Sequence, residues 1–579
     1  MSKKPQLVIK RRQVDLAGVS FSNAVSPLLQ RIYAARGLNT DEQLSRKLNQ
    51  LPAPSTMLGM AAALELLAHA FNQQQSVLIV GDFDADGATS TTLAVLALRA
   101  MGLHQVDFLV PNRFEYGYGL TPEIVELALD NKPDLIITVD NGISSVSGVA
   151  CARAAGIAVL ITDHHLPGRE LPDANAILNP NQHGCEFPTK NLAGVGVVFY
   201  LLSALRSYLR EKGWFSQQGI SEPNMVGWLD LVALGTVADV VPLDQVNRAL
   251  VYQGLARIRA GQARPGIHAI LELAKRQQHS LVASDLGFAV GPRLNAAGRL
   301  DDMSIGIQCL LADDPFIARQ YAAQLDEFNR DRRVIESGMQ REAEAVLAQL
   351  DFDEAELPWG LCLYEDGWHQ GVVGLLASRI KDKVHRPVIA FADGDNGELK
   401  GSARSIPGLH IRDALDAVAT SHPGLITKFG GHAMAAGLSL RTEDFPAFSQ
   451  AFDEEVRRNL DEADMHAELW VDGELEEADF NLPLAEDLRN AGPWGQLFPE
   501  PLFEGDFRLV QQRLVGEKHL KLVLAVDKAG QQLVDAIAFN VDLERWPDNS
   551  CETVHVVYKL DINEWRGRQT LQLMVENLF

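Results

Sequence analysis

Four short apolar runs set the main constraint on this chain. SVLIV at 76–80, VDFLV at 106–110, DLIITV at 134–139 and IAVLIT at 157–162 recur with amphipathic stretches between them. That is the pattern of βαβ units feeding a mostly parallel, doubly wound sheet. Three of the runs are followed at once by acidic or imidazole-bearing clusters: GDFDADG at 81–87, Asp140 in TVDNG, and Asp163, His164 and His165 in TDHH. Open α/β sheets place their active sites at the carboxyl ends of the strands, so the clusters are expected to converge. An acidic N-cap on the following helix would account for any one of them. Three together, with two adjacent histidines, point to a shared site.

The residue types then restrict the chemistry. Asp82, Asp84 and Asp86 alternate beyond a strand end and would repel one another unless a cation sat among them. An EF-hand also begins D-x-D-x-D-G, but its twelfth position here is Leu93 in place of the bidentate Glu. A haloacid-dehalogenase loop would need a lone nucleophilic Asp and a downstream Lys, and leaves the later clusters unexplained. Carboxylates in excess over imidazoles, without thiolates, suit Mn²⁺ or Mg²⁺ better than a structural zinc. The ligands suffice for two ions, which implies hydrolytic displacement at phosphorus with no side-chain nucleophile.

Charge limits how such a protein could meet nucleic acid. With 579 residues and a formal charge of −24, the chain has room for roughly three or four domains and cannot hold DNA by overall positive charge. The charge is uneven, however. Glu443 to Asp487 holds 16 acidic residues against Arg457 and Arg458, whereas residues 251–300 carry a local excess of five positive charges. Contacts with nucleic acid are therefore expected in a local basic groove, and the acidic run reads as a solvated linker face. The five cysteines are scattered without C-x-x-C spacing, as suits a reducing cytoplasm. A basic start without an apolar h-region, and no long uncharged apolar run, give the expectation of neither export nor membrane insertion.

The expected organisation is an N-terminal arm (1–75), a catalytic α/β domain (76–300), connecting helices (301–355), a second α/β domain (356–440), an acidic linker region (441–490) and a C-terminal β domain (491–579). Between Phe316 and Leu350 there is no proline and one glycine, Gly338, and the apolar spacing predicts a single helix of roughly 50 Å. Near the C-terminus Val554, Val556, Tyr558, Leu560 and Ile562 alternate, Arg566-Gly567 marks a turn, and Leu571, Leu573 and Val575 alternate again. A small OB-like barrel fits this pattern, and a sandwich would read similarly.

GDFDADG, TVDNG, TDHH and LVALGTVADVVPL (231–243) resemble the four motifs of the DHH phosphoesterase superfamily. With GPRLNAAGR (291–299), GWHQGVVG (367–374), KGSARS (400–405) and KFGGHAMAAG (428–437), the chain is similar over nearly its whole length to the RecJ family of bacterial single-strand-specific 5′→3′ exonucleases. The resemblance implies a DHH-type sheet, a DHHA1-type substrate-binding domain at 356–440 and two Mn²⁺ or Mg²⁺ ions. Asp82, Asp84 and a bridging Asp140 would hold one ion, and Asp86, Asp140, His164 and Asp239 the second. His165 would face the scissile phosphate, making His165, Asp140 and Asp84 the catalytic set. Asp230, nine residues and so more than two helical turns before Asp239, reads as structural.

Substrate contacts are expected from Arg293, Asn295 and Arg299 in GPRLNAAGR. Ser402 and Arg404 resemble the family's pocket for a 5′-terminal phosphate, and Gly430, Gly431 and His432 its substrate loop. Arginine forks match phosphate oxygens, and glycines let backbone amides approach an anion. In PNRFEYGYG, Arg113, Tyr116 and Tyr118 offer stacking beside the sheet edge, with a buried tyrosine as the equal alternative; Trp565 and Arg566 could guide the strand at the barrel. The implied partners are single-stranded DNA, a single-strand DNA-binding protein, a helicase and mismatch-repair proteins, with a monomeric chain in the cytoplasm acting in recombination and repair. The alternatives are another DHH oligonucleotide or pyrophosphate phosphoesterase, and a non-catalytic replication or repair scaffold.

Overall fold

The structure is a computed structural model that describes residues 7–111, 116, 119–349, 357–394, 397–431, 433–527, 529–543 and 545–579. It divides into two compact units, one formed by Arg11–Asp326 with Val471–Phe579 and the other by Glu327–Trp470 with the first ten residues.

In the first unit, helix α1 (Pro27–Ala34) starts at Ser26, whose Oγ accepts from the Leu29 amide, with proline at the first helical position. Residues 11–75 are less an arm than part of this unit. Ile32 enters the core of the C-terminal barrel, the Tyr33 hydroxyl donates to the Ala491 carbonyl at 3.0 Å, and Arg36 pairs with the buried Asp472 at 2.8 Å.

The catalytic sheet has five parallel strands: β1 (Val77–Gly81), β2 (Val106–Leu109), β3 (Leu135–Val139), β4 (Ala158–Thr162) and β5 (Ala176–Leu178). Their spatial order is β2-β1-β3-β4-β5. Every residue of β1 and β3 is buried, which is why these strands read as continuous apolar runs. The chain leaves β1 toward one edge and returns to its other side as β3, so the topological switch point lies between these two strands. Around the sheet pack α2 (Ala85–Ala100), α3 (Gly194–Glu211), α4 (Leu229–Ala238) and α5 (Gly291–Leu300). α6 (Pro315–Gln349) is the expected long helix, 35 residues or about 52 Å at 1.5 Å per residue.

The second unit is built on a mixed sheet. β6 (Leu361–Tyr364), α7 (Val373–Val384), β7 (Val388–Asp393), β8 (Glu398–Arg404), α8 (Ile411–Ser421), β9 (Lys428–Gly431) and β10 (Ala435–Arg441) give a strand order of β9-β10-β8-β7-β6. The 441–490 stretch holds folded elements where a solvated linker is expected. Helix α9 (Phe445–Asn459) buries Phe448, Phe452 and Val456 in the core of this domain. In the first unit α10 (Leu482–Ala491) packs Ala485 and Leu488 on the barrel. The acidic residues of α9 and α10 lie away from these apolar positions, and their density hides the apolar spacing.

The C-terminal strands β11 (Phe503–Val515), β12 (His519–Ala525), β13 (Leu533–Ala538), β14 (Thr553–Trp565) and β15 (Arg568–Leu578) close a barrel in the order β11-β12-β13-β15-β14. Val554, Val556, Tyr558, Leu560 and Ile562 all face its core, as their alternation requires. Arg566 and Gly567 both have positive φ, 53° and 76°, as a two-residue hairpin turn between right-twisted strands demands. Among the described residues no single helix is long and apolar enough to cross a membrane.

Candidate metal centre and phosphate pocket

The carboxylates converge at the switch point. Donor atoms of Asp82, Asp84 and Asp140 lie within 4.8 Å of one another, as do those of Asp86, His164 and Asp239, and those of Asp140, His164 and His165. His164 Nε2 is 3.2 Å from Asp140 Oδ1 and 3.4 Å from Asp239 Oδ2. The two expected ligand sets are thus brought together at adjacent strand ends, with Asp86 on the first turn of α2 and Asp239 arriving from the C-cap of α4.

Backbone amides hold Asp84 and Asp86 in place. Asp84 is also the N-cap of α2, accepting from the amides of Asp86 at 2.9 Å and Gly87 at 3.0 Å. Asp86 accepts from the first two amides of α3, Gly194 at 2.6 Å and Val195 at 2.9 Å. This helix N-terminus, announced in the sequence only by the glycines of AGVGVV, offsets a buried negative charge with its dipole. Asp140 sits in the left-handed region at φ 62°, a conformation aspartate tolerates better than most residues. Next to it Asn141 donates to the carbonyls of Val80 at 3.1 Å and Val139 at 3.0 Å, stitching the ends of β1 and β3 together. An alanine at Gly194 would put its Cβ 2.7 Å from that of Asp140.

Asp163 works behind the histidines. Its Oδ1 lies 2.7 Å from His165 Nδ1 and its Oδ2 accepts from the Ile143 amide at 2.9 Å. Asn179 and Asn181 donate to the His165 and His164 carbonyls at 2.8 and 2.6 Å. Neither asparagine carries a sequence signal that marks it, since an N-P-N turn is common in loops.

The electrostatics fit cations. Burial, then repulsion by Asp84, pushes Asp86 up to about 7. Burial, then the neighbouring aspartates, drives Asp140 and Asp239 well above the ordinary carboxylate range. Burial works against the charged form of His165, but its hydrogen bond and ion pair with Asp163 prevail and carry it up to about 9. The same pairing outweighs burial at Asp163 and lowers it. Oxygen donors with one or two imidazoles suit hard divalent ions of the Mn²⁺ or Mg²⁺ type.

The GPRLNAAGR segment buttresses this centre. Asn295 Oδ1 accepts from the Ala85 amide at 2.7 Å, so it supports the DxDxD loop. Arg293 is 8% exposed and donates to Asp326 Oδ1 at 2.9 Å and the Ala289 carbonyl at 2.6 Å. It fastens α6 to α5, a buried ion pair in place of the phosphate contact suggested by its small-residue setting. Arg299 is half-buried at the end of α5. Asp230 is buried and caps the Arg264 amide at 2.7 Å, as its structural reading requires. Tyr116 is half-buried against the sheet core, while Arg113, Tyr118 and His432 lie outside the described residues.

In the second unit Arg404 donates from Nη1 to Ser402 Oγ at 3.0 Å and to the Ala403 carbonyl at 2.8 Å. A Cβ on Gly374 would come within 2.8 Å of both Ser402 Oγ and Arg404 Nη2, so α7 approaches the pair only because residue 374 is glycine. Gly437 is registered against Ser402 on one side and Gly430 on the other, and Ala436 against Ala403 and Gly431. Ser402, Arg404 and Gly430 therefore share one small-residue face, and Gly431 lies with Ala403 and Ala436 on the other.

Family comparisons agree with this layout. The chain matches the DHH family, N-terminal domain, over residues 76–236, the DHHA1 domain over 359–458 and the RecJ OB domain over 471–577. It is 54% identical over 576 residues to the single-stranded-DNA-specific exonuclease RecJ of Escherichia coli, covering 100% of both chains. The chain belongs to the RecJ family. The RecJ of Dickeya dadantii is 56% identical over 573 residues, with 99% of each chain covered, and that of Bacillus subtilis 34% over 559, covering 96% of this chain and 68% of that one. A crystal structure of RecJ in complex with Mn²⁺ from Thermus thermophilus superposes with a TM-score of 0.80 at 29% identity, covering 100% of this chain and 80% of that chain. The same RecJ in complex with Mg²⁺ gives 0.74 at 27%, covering 99% and 78%. The oxygen-rich donor set here fits either ion.

Proposed function

We propose that this RecJ-family chain is a metal-dependent exonuclease that degrades single-stranded DNA from its 5′ end to 5′ mononucleotides through a two-ion centre, in DNA recombination and repair. The observation that carries the reading is the meeting of Asp82, Asp84 and Asp140 with Asp86, His164 and Asp239 at one switch point. Asp82, Asp84 and Asp140 would hold one ion, and Asp86, Asp140, His164 and Asp239 the other. When bound, such ions supply Lewis acidity to the phosphodiester and an acidified water.

The protein's own groups do the rest. The amides of Gly194 and Val195 fix Asp86, and Asn141 fixes the loop of Asp140. Asp163 holds His165 by Nδ1, leaving Nε2 to face the scissile phosphate. Ser402 and Arg404, with the amides of the glycine strands, would take a 5′-terminal phosphate, which makes recognition depend on a strand end. Single-stranded DNA is the substrate partner; a single-strand DNA-binding protein, a helicase and mismatch-repair proteins are the protein partners this reading implies, around a monomeric cytoplasmic enzyme.

The test is digestion of strands labelled at either end, with Mn²⁺ or Mg²⁺ and in EDTA. The 5′ label is expected to appear first as mononucleotide, only with metal, and blunt duplex to resist. Release of the 3′ label first overturns the polarity, and equal cutting in EDTA overturns the metal mechanism.

A further inference from the structure

Asn247 is completely buried on the first turn of the helix Gln245–Arg259. Its side-chain amide donates to two carbonyls, that of Asn191 at 2.6 Å and that of Pro242 at 2.9 Å. Both are acceptors, so the atom facing them must be the nitrogen. Each carbonyl belongs to a segment that leads to the metal centre. Three residues after Asn191 comes Gly194, whose amide, with that of Val195, holds Asp86. Three residues before Pro242 lies Asp239. Asp244, which caps the same helix by accepting from the Asn247 backbone amide at 3.0 Å, repeats the join. Its other oxygen accepts from the Thr189 hydroxyl and from the Asn191 side chain, the latter at 3.1 Å.

A second asparagine extends the join to the histidine. Asn181 donates from Nδ2 to the His164 carbonyl at 2.6 Å and to the carbonyl of Lys190, the residue before Asn191, at 3.3 Å. The backbone of His164, the amides that hold Asp86 and the loop that follows Asp239 are therefore tied into one polar network. Asp86, His164 and Asp239 are the residues whose donor atoms meet as one trio. The Asp82–Asp84 loop has other supports, Asn295 at the Ala85 amide and the α2 amides at Asp84. Val240 shows why a tie is needed beyond Asp239. It stands at φ 60°, a left-handed conformation that a β-branched residue keeps only where its surroundings over-determine it. On one side the Asp239 amide donates to the Gly235 carbonyl at 2.9 Å; on the other Asn247 holds Pro242, and the Leu243 amide donates to the Gln496 carbonyl at 2.8 Å.

We propose that Asn247 and Asn181 are positioning residues for the ion site of Asp86, His164 and Asp239, setting the spacing of that trio from behind, through its backbone, and leaving the site of Asp82, Asp84 and Asp140 to other supports. The proposal rests on the two-ion reading of the centre. Satisfying buried carbonyls would by itself explain an asparagine at 247, but it would not make one ion depend on that residue and the other not. Groups behind the ligands set metal affinity, and their loss costs about 10- to 100-fold. The consequence for the reaction is a metal requirement: without the network the same turnover needs more Mn²⁺.

The experiment titrates the full metal-free chain with Mn²⁺, following bound ions by calorimetry and electron paramagnetic resonance, for wild type, Asn247→Ala, Asn181→Ala and the double variant. Digestion of a single strand is measured across the same Mn²⁺ range. Wild type is expected to bind two ions. In each single variant one ion should weaken about 10- to 100-fold while the affinity of the other stays. The Mn²⁺ needed for half-maximal digestion should rise by the same factor, with kcat recovered at saturating Mn²⁺. The double variant should lose less than the two single losses combined, because both residues act through the 189–194 segment. Asn181 is only half-buried, so its variant keeps the test open if loss of the buried Asn247 prevents folding. Two unchanged affinities, two that fall together, or fully additive losses overturn the assignment while the nuclease reading stands. A wild type that binds a single ion overturns the two-ion reading, and the assignment with it.

Discussion

At the metal centre five carboxylates, Asp82, Asp84, Asp86, Asp140 and Asp239, face one another around His164. In the second unit Ser402 and Arg404 lie among glycines. The first region concentrates one sign of charge and immobilises it with amides, through Gly194, Val195 and Asn141. The second makes space by omitting side chains, at Gly374, Gly430 and Gly437. A cation site needs repelling donors held against their repulsion, whereas an anion site needs room for oxygen atoms beside a guanidinium. In the proposed function the two tasks fall to different sheets.

The largest effect expected from breaking this comparison comes from Asp140→Asn. Nuclease activity should fall on the order of 10³-fold or more, and the stabilisation by Mn²⁺ should disappear. The metal-free protein should melt no lower than wild type, since one repelling charge has gone. A metal-free melting temperature several degrees below wild type would show that Asp140 is a structural linchpin instead.

Arg404→Met should be milder and selective. Charge-assisted hydrogen bonds to a phosphate contribute about 1.5–3 kcal/mol, so kcat/KM for 5′-phosphorylated strands should fall roughly 10- to 100-fold, with little change for 5′-hydroxyl strands. Equal losses on both would assign Arg404 to holding β8 together. The Mn²⁺ response, which belongs to the other sheet, should be unaltered.

The smallest effect is the pH dependence of stability. In the metal-free chain Asp86 is pushed up to about 7 by burial and then by Asp84, against an ordinary value of 3.8. The folded state therefore holds this proton where the unfolded chain has released it. Its contribution is fully present below pH 3.8 and fades as pH rises through 7. Melting of the metal-free protein should decline from pH 5 to 8 by an amount on the order of 1–3 kcal/mol. Saturating Mn²⁺ should flatten the decline, and a metal-free profile that rises over that range would contradict the assignment.

Much of the centre was legible because strands and motifs coincide. The apolar runs placed β1, β3 and β4, and the clusters at their ends named Asp82, Asp84, Asp86, Asp140 and His164, which the fold gathers; Asp239 came only from the family resemblance of 231–243. What could not be read were contacts made across long sequence separations. The amides of Gly194 and Val195 reach Asp86 from 108 and 109 residues away, and no local pattern records that. Arg293 misled for a related reason: its neighbours suggest an anion site, yet Asp326 on another helix, 33 residues on, claims its guanidinium. Charge density concealed α9, because the pattern of Phe448, Phe452 and Val456 is diluted by acidic residues on the opposite face.

Gly298 sets a limit on how this protein can change. A Cβ there would sit 1.7 Å from the carbonyl oxygen of Phe83, so α5 and the loop between Asp82 and Asp84 touch backbone to backbone with no clearance. Close-packed interiors transmit displacement instead of absorbing it. The loop has no independent travel in that direction: whatever shifts α5 shifts the two carboxylates with it. The alignment of the metal centre is therefore fixed to the tolerance of a hydrogen atom by a residue that ligates nothing.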